Sequence, residues 1–324
     1  MTGSPYRPFL HRYALLVAAA TAVLLFVGGL VTSTGSAMAV PTWPLDFGTL
    51  FPRMTGGVLF EMGHRLVAGT VALLTVALAV WLWLAESRSW VRWLGVVAAV
   101  TILLQAVLGG LTVLLRLPLA LAISHAGVAQ VMFCLNVTLA LVTSRGWIET
   151  PRPVSDTGSP SLRTLTAATV VVVYFQILIG ALVRHTGAGL AVPDFPLAFG
   201  RLWPNVASPL VAYQMAHRLG AVAVTVMVLW TVGTVLRRHP GVRALLLPAT
   251  LQLLLLSFQI YLGATIIWTQ RAVVPTTTHV LSGALLLVTS LVLALRARRL
   301  LAPTGRAAVR HPVDAAATTS PAAS

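Results

Sequence analysis

Eight separate stretches of this chain, at roughly 13–33, 62–84, 91–115, 119–143, 165–184, 211–236, 244–268 and 273–295, are apolar over the length of about 20 residues that crosses a bilayer core as a helix. Few folds are open to such a chain. Inside lipid every main-chain N–H and C=O must find a partner within the protein, which leaves helices or a closed barrel. The stretches are far longer than barrel strands. Only 9% of the 324 residues are charged, against about 25% in an average soluble domain. We therefore expect an all-α integral membrane protein with eight transmembrane helices. Arg7 and Arg12 precede the first stretch as they would in a signal peptide. The stretch exceeds a typical signal core, however, and its continuation matches a later segment, so we expect it to be retained.

All 22 basic residues are arginine, and the net charge is +15. A charge of that size raises the question of nucleic acid, but the arginines lie mostly in short connections between apolar stretches, where they act as topology signals. With the N-terminus in the cytoplasm, that side collects fifteen arginines and the other side seven: Arg53, Arg65, Arg116, Arg184, Arg201, Arg218 and Arg271. The positive-inside rule then puts both termini in the cytoplasm. Cys134 is the single cysteine, which excludes an internal disulfide or a cysteine-based metal site; it is expected to be a small buried hydrophobe.

The chain repeats itself. Thr34 to Gly48 reads TGSAMAVPTWPLDFG and Thr186 to Gly200 reads TGAGLAVPDFPLAFG, an offset of 152; Phe60 to Leu66 reads FEMGHRL and Tyr213 to Leu219 reads YQMAHRL, an offset of 153; His125 and His279 follow at 154. Four spans per copy give both copies the same orientation, a parallel repeat about an axis along the membrane normal. The expected organisation is a four-helix half over 1–149, a cytoplasmic linker over 150–163, a second four-helix half over 164–300 and a disordered tail over 301–324. The tail is rich in Ala, Pro, Thr and Ser and short of bulky apolar residues. Pro41, Pro44, Pro193 and Pro196 cannot continue a helix, while Gly35 and Gly187 permit tight reversal, so the repeated loops before the His-Arg helices are candidate lids.

A histidine inside a membrane span is costly unless something binds it. His64 and His217 are placed within a turn of the outer ends of their spans, His125 and His279 about two turns inside theirs. Each half thus offers two histidines from two helices. Two opposed imidazoles without other soft ligands suit the axial positions of a haem iron, whereas zinc takes three or four protein ligands. Arg65 and Arg218, beside the first histidine of each pair, are placed to meet haem propionates, or else to anchor their helices at the interface. His11, His185, His239 and His311 fall outside the register and are read as solvated.

Glu61 breaks the repeat. Three residues before His64, it shares that residue's helix face, and the second copy has Gln214, which can neither take nor give a proton. The alternatives for Glu61 are general base or cation stabiliser on one side, helix cap or partner of Arg65 on the other. Gln105 and Gln259 also align, with Gly109, Gly110, Gly263 and Ala264 beside them; packing is their expected role.

Taken together, Glu61, His64 and Arg65, the second His-Arg at His217, then His125 and His279, over residues 10–296, resemble the haem A synthases of the COX15/CtaA family. The resemblance implies oxidation of the C8 methyl of haem O to a formyl group, giving haem A for cytochrome oxidase. It implies haem b as cofactor on His217 and His279, substrate haem O on His64 and His125, and Glu61 as the catalytic carboxylate. Haem O synthase and an electron-transfer partner would be its protein partners, with a homo-oligomer left open. Some bacterial members carry a cysteine pair in an outer loop, where this chain has Val40, Pro41 and Asp46, which rules out a thiol relay there. The competing readings are a di-haem b-type cytochrome that only moves electrons, which leaves Glu61 without a task, and a transporter, against which the parallel repeat argues.

Overall fold

The computed structural model describes residues 5–44, 53–149, 154–156, 158–206 and 208–303. Eight long helices account for the eight apolar stretches: α1 (Pro8–Ser33), α2 (Gly56–Ala85), α3 (Ser89–Leu114), α4 (Leu119–Val142), α6 (Leu162–His185), α7 (Pro209–Arg238), α8 (Arg243–Trp268) and α9 (Val273–Leu300). All eight are long and apolar enough to cross a membrane, and the chain is a multi-pass membrane protein. A single turn, α5 (Arg145–Ile148), and a 3-10 turn at Ala188–Leu190 complete the helical part.

Four helix boundaries follow directly from local chemistry. α7 begins at Pro209, whose missing N–H is no loss at a helix start, and the Ser208 hydroxyl accepts from Val211 N–H. Ser161 caps α6 in the same way, accepting from Thr164 N–H. α1 and α6 stop alike: Thr34 and Thr186 donate from Oγ1 to Leu30 and Leu182 carbonyls at 2.8 and 2.7 Å, and the next residues, Gly35 and Gly187, take left-handed φ of 69° and 74°.

Within each half, consecutive helices pack side by side and the first closes on the fourth: α1 with α2 and α4, α3 with α2 and α4; then α6 with α7 and α9, α8 with α7 and α9. The halves meet through α1, α4, α6 and α9. Because lipid is as apolar as leucine, large side chains need not hide: Leu73 and Leu84 of α2 are 75% and 80% exposed. The interior instead joins helices by short polar bridges. Asn136 donates to Thr21 at 2.9 Å, Thr169 meets Thr231 at 2.8 Å and Gln252 donates to Ser290 at 2.7 Å, all buried. Such bonds contribute about 0.6 kcal/mol each in membranes.

At the end of the bundle opposite the four histidines, the linker and the C-terminal segment meet. Strand β1 (Val154–Asp156) pairs in parallel with β2 (Leu301–Pro303), and the Leu301 side chain is buried in the core of the second half. Strand β2 thus falls within the segment read as a tail, because Leu301 has a core to enter. Residues 304–324 and, within the linker, 150–153 and 157 lie outside the described residues. Asp156 accepts from Leu162 N–H at 2.7 Å, capping α6, and lies 3.8 Å from His239 Nε2. His239 is buried, not solvated as expected, since the folded linker covers it. His311 lies outside the described residues.

Candidate functional site

The four register histidines gather at one end of the bundle, each about two turns inside its helix. His64 and His217 both stand eight residues after the first residue of α2 and α7, and His125 and His279 six residues after the first of α4 and α9. α2 and α7 start earlier than the hydropathy boundary suggests, so His64 and His217 lie deeper than one turn.

Each imidazole rests on a glycine of the neighbouring helix. A Cβ built on Gly28 would lie 2.9 Å from His64 Cε1; on Gly109, 3.1 Å from His125 Cε1; on Gly180, 3.0 Å from His217 Cε1; on Gly263, 3.4 Å from His279 Cε1. These glycines keep the repeat register, Gly28 with Gly180 and Gly109 with Gly263. They make room for the rings; of the four, the sequence had singled out only Gly109 and Gly263, as packing residues.

In the second half the rings of His217 and His279 are 6.4 Å apart between centroids, inclined at 67°. Two imidazoles bonded to one metal ion from opposite sides, at about 2 Å each, put their ring centres roughly 6 Å apart. The spacing suits one metal ion between the two rings, provided Gln259, whose Nε2 lies 3.2 Å from His279 Nε2, yields that nitrogen. The buried Nδ1 atoms of His64, His125 and His279 have no hydrogen-bond partner among the described residues, and no three His, Cys, Asp or Glu side chains converge there as zinc would ask.

Behind the rings stand the two aligned glutamines, which do more than pack. Gln105 donates to the His125 carbonyl at 2.8 Å, and Gln259 Nε2 lies 3.2 Å from His279 Nε2 while its carbonyl oxygen accepts from Ser282.

Glu61 is 3% exposed and fully engaged: Oε2 accepts from Val40 N–H at 2.8 Å and Oε1 from Arg65 at 2.7 Å, an i,i+4 ion pair. Arg65 also donates to the Val40 and Thr42 carbonyls. Gln214 does the same for the second loop. Its Oε1 accepts from Val192 N–H at 2.6 Å and its Nε2 donates to the Gly189 and Val192 carbonyls. Arg218 donates to the Val192, Asp194 and Leu197 carbonyls. Both arginines are thus turned onto their loops, and Val40 and Val192 are fully buried beneath them. The first loop also lays Trp43 against α3, where a Cβ on Gly110 would come within 2.6 Å of its ring, beside the glycine that supports His125. Residues 45–52, Asp46 among them, lie outside the described residues. In the second loop Phe199 and Gly200 N–H groups bond the exposed Asp194 carboxylate at 2.7 and 2.8 Å and hold its carboxyl below the usual range.

Sequence reasoning missed two polar residues of this end. Arg184 of α6 reaches across to α1, donating to Gly29 O at 2.7 Å and Ser33 Oγ at 2.9 Å, and Thr277 of α9 donates to the same Ser33. Gln176 of α6 donates to the His217 carbonyl at 2.8 Å with its Nε2 3.0 Å from His217 Nδ1. Both stand where the register gives the first half an ordinary side chain, Thr32 and Leu24. Breaks in the repeat were the signal that would have found them.

Comparison with known proteins gives one consistent family. Residues 55–292 match the COX15-CtaA family, described as cytochrome oxidase assembly protein. Among relatives, a heme A synthase of Shouchella clausii is 30% identical over 274 residues, covering 81% of this chain and 88% of the relative. One of Symbiobacterium thermophilum is 35% identical over 222 residues (65% and 72%), and one of Geobacillus kaustophilus is 32% identical over 299 residues (87% and 91%).

Proposed function

The chain belongs to the COX15-CtaA family of cytochrome oxidase assembly proteins, and from that premise we propose that it acts as a haem A synthase, oxidising the C8 methyl of haem O to a formyl group. Relatives of that name cover most of the chain, and the alternative of a di-haem cytochrome leaves the Glu61/Gln214 difference unexplained.

In this reading His64 and His125 hold the substrate, haem O, and His217 and His279 hold haem b. When bound, the haem irons supply the stepwise electron acceptance that no side chain here offers. The protein's own contribution is positional. Four glycines let the imidazoles approach, and Arg65 and Arg218 pin the loops that follow α1 and α6. Glu61 lies one helical turn from His64, and its carboxylate, once released from Arg65, would accept protons set free as the methyl carbon gains an oxygen from water and gives up electrons. The excess of arginine at the opposite end supports an orientation with both termini in the cytoplasm and the four histidines toward the outer face. Haem O synthase and an electron-transfer protein are the partners this chemistry asks for.

The observation that carries the reading is that Gln214 clamps its loop as Glu61 does. An amide satisfies that backbone task, so what the carboxylate adds in the first half is a charge, which pairs with Arg65. Glu61→Gln is therefore expected to fold and bind haem but to stop conversion when co-expressed with a haem O source, as read by chromatography of the extracted haems. A wild-type yield of haem A from that variant would remove Glu61 from the chemistry, whereas no haem A even from the unaltered chain would leave the electron-transfer cytochrome as the better account.

A further inference from the structure

At the histidine end of the bundle, the seam between the halves holds a cation that no acid of the described residues answers. Arg184 of α6 is half-buried there, and its Nη2 donates to the Gly29 carbonyl and to Ser33 of α1. Its Nε and Nη1 have no partner among the described residues. Gly29 follows the glycine on which His64 lies, and Thr277, which bonds the same Ser33, stands two residues before His279. The Arg184 charge accordingly acts on His279, and a second cation, Arg271 of the α8–α9 connection, acts on Arg184. Arg271 is exposed, with its stem passing Gly189 of the loop after α6. Neither arginine forms an ion pair among the described residues: Glu61 is taken by Arg65, and the Asp194 carboxylate by loop N–H groups. Two guanidinium groups held near one another in a half-buried place repel, and an anion between them removes that cost. The register gives Thr32 and Leu117 at these positions, so the first half has no such pair.

We propose that Arg184 and Arg271 form a carboxylate site that receives the acid arms of the haem on His217 and His279, the task the sequence offered to Arg65 and Arg218. The inference rests on the proposed haem b site. Arg65 and Arg218 are spent on loop carbonyls. A haem carries two carboxylates on one edge, and two cations without acids match them in number and sign. Arginine stays charged in a half-buried place and donates from a rigid plane, so charge-assisted bonds to carboxylates are open to it beside a membrane. Arg184 stands on the side of the second pair, where its charge meets His279. The phosphate of an anionic lipid offers the same chemistry, and the test separates the two.

The full-length protein is loaded in detergent with haem b or with haem b dimethyl ester, whose carboxylates are blocked, and transfer to apomyoglobin is timed. The unaltered protein should lose the ester about 10- to 100-fold faster than the acid, the worth of a hydrogen bond to a charged group. Arg184→Gln should lose both at one fast rate, and Arg184→Lys, which keeps the charge, should recover part of the difference. Arg271→Gln should show the same change in smaller measure, because Arg271 is exposed. The midpoint potential of Arg184→Gln should also fall, since a nearby cation favours the reduced iron. Equal retention of acid and ester by the unaltered protein overturns the proposal, and that comparison needs no variant to fold. So does an Arg184→Gln chain that still tells acid from ester but no longer retains phosphatidylglycerol in native mass spectrometry, which would make the anion a lipid headgroup. His217→Ala keeps the two failures apart. A b-type spectrum that survives it removes the second-site assignment, whereas its loss alongside equal retention of acid and ester removes only the role of Arg184 and Arg271.

Discussion

The two halves of this molecule share a frame down to single atoms and differ at a handful of side chains. Each has two histidines lying on glycines, a helix stop of Thr then left-handed Gly, a buried valine in the loop and an arginine pinning that loop's carbonyls. Against this common frame stand Glu61 for Gln214, Leu24 for Gln176, Val67 for Gly220, Thr32 for Arg184 and Val128 for Ser282. The first half carries the buried carboxylate and an apolar backing to His64. The second carries amides, a hydroxyl and a cation. A shared scaffold thus separates what holding a ligand between two helices requires from what each half does with it.

The largest expected effect comes from exchanging the first of these differences. Glu61→Gln should lower haem A formation by about 10²- to 10⁴-fold, the range for loss of a proton-transferring group, while Gln214→Glu should not create a second reaction site. If Gln214→Glu alone rescued an inactive Glu61→Gln chain, the division of labour between the halves would be wrong.

Next is the pair of loop arginines. Arg65→Gln strands Glu61 as a buried, unpaired carboxylate, a loss of about 3–5 kcal/mol. Arg218→Gln strands no acid on its helix, since Gln214 is neutral, and should cost less. Thermal unfolding in detergent measures both, and equal losses would mean that the Glu61–Arg65 pair adds nothing to its loop.

Gly28→Ala and Gly180→Ala should act alike, because each pushes a methyl to 2.9 or 3.0 Å from a histidine Cε1. Overpacking of this kind costs about 1–3 kcal/mol, and the displaced ring should show as a changed haem spectrum. A spectrum altered by only one of the two would locate a difference in the histidine frames that the geometry does not contain.

The smallest effect concerns Asp194, whose carboxyl is held below its ordinary value of 3.8 by the Gly200 and Phe199 N–H groups. A depressed acid stabilises in its charged form, so its contribution is complete well above pH 3.8 and fades as the pH falls below it. Thr42 stands at this position in the first half. Asp194→Asn should make cleavage of the second loop by protease faster at neutral pH and remove the acid-dependent part of its rate.

Much of this was legible in the chain because membrane helices are written in long apolar stretches and a duplication repeats its chemistry at a fixed interval. The eight spans, the four histidines and the odd carboxylate at Glu61 all follow from length and register. Less legible were contacts that bring distant residues together. His239 is an ordinary polar residue in sequence and a buried one in the fold, because Asp156 and the linker close over it. Gln105 and Gln259 were read as packing residues, yet their amides bond the histidine segments, since only the antiparallel pairing of α3 with α4 and α8 with α9 sets them opposite.

Local composition and spacing, then, determined by themselves that the chain crosses a membrane eight times in two related halves, each with a pair of histidines at matching depth. A span's hydropathy and a residue's place in a repeat are properties of the chain alone. The tertiary structure decided which face each polar side chain presents. It turned Glu61, Gln214, Arg65 and Arg218 onto the loops, set a glycine under each of the four register imidazoles and put Gln176 beside one of them. Those outcomes depend on the rotation of one helix against its neighbour, which side-chain packing fixes and no single segment encodes.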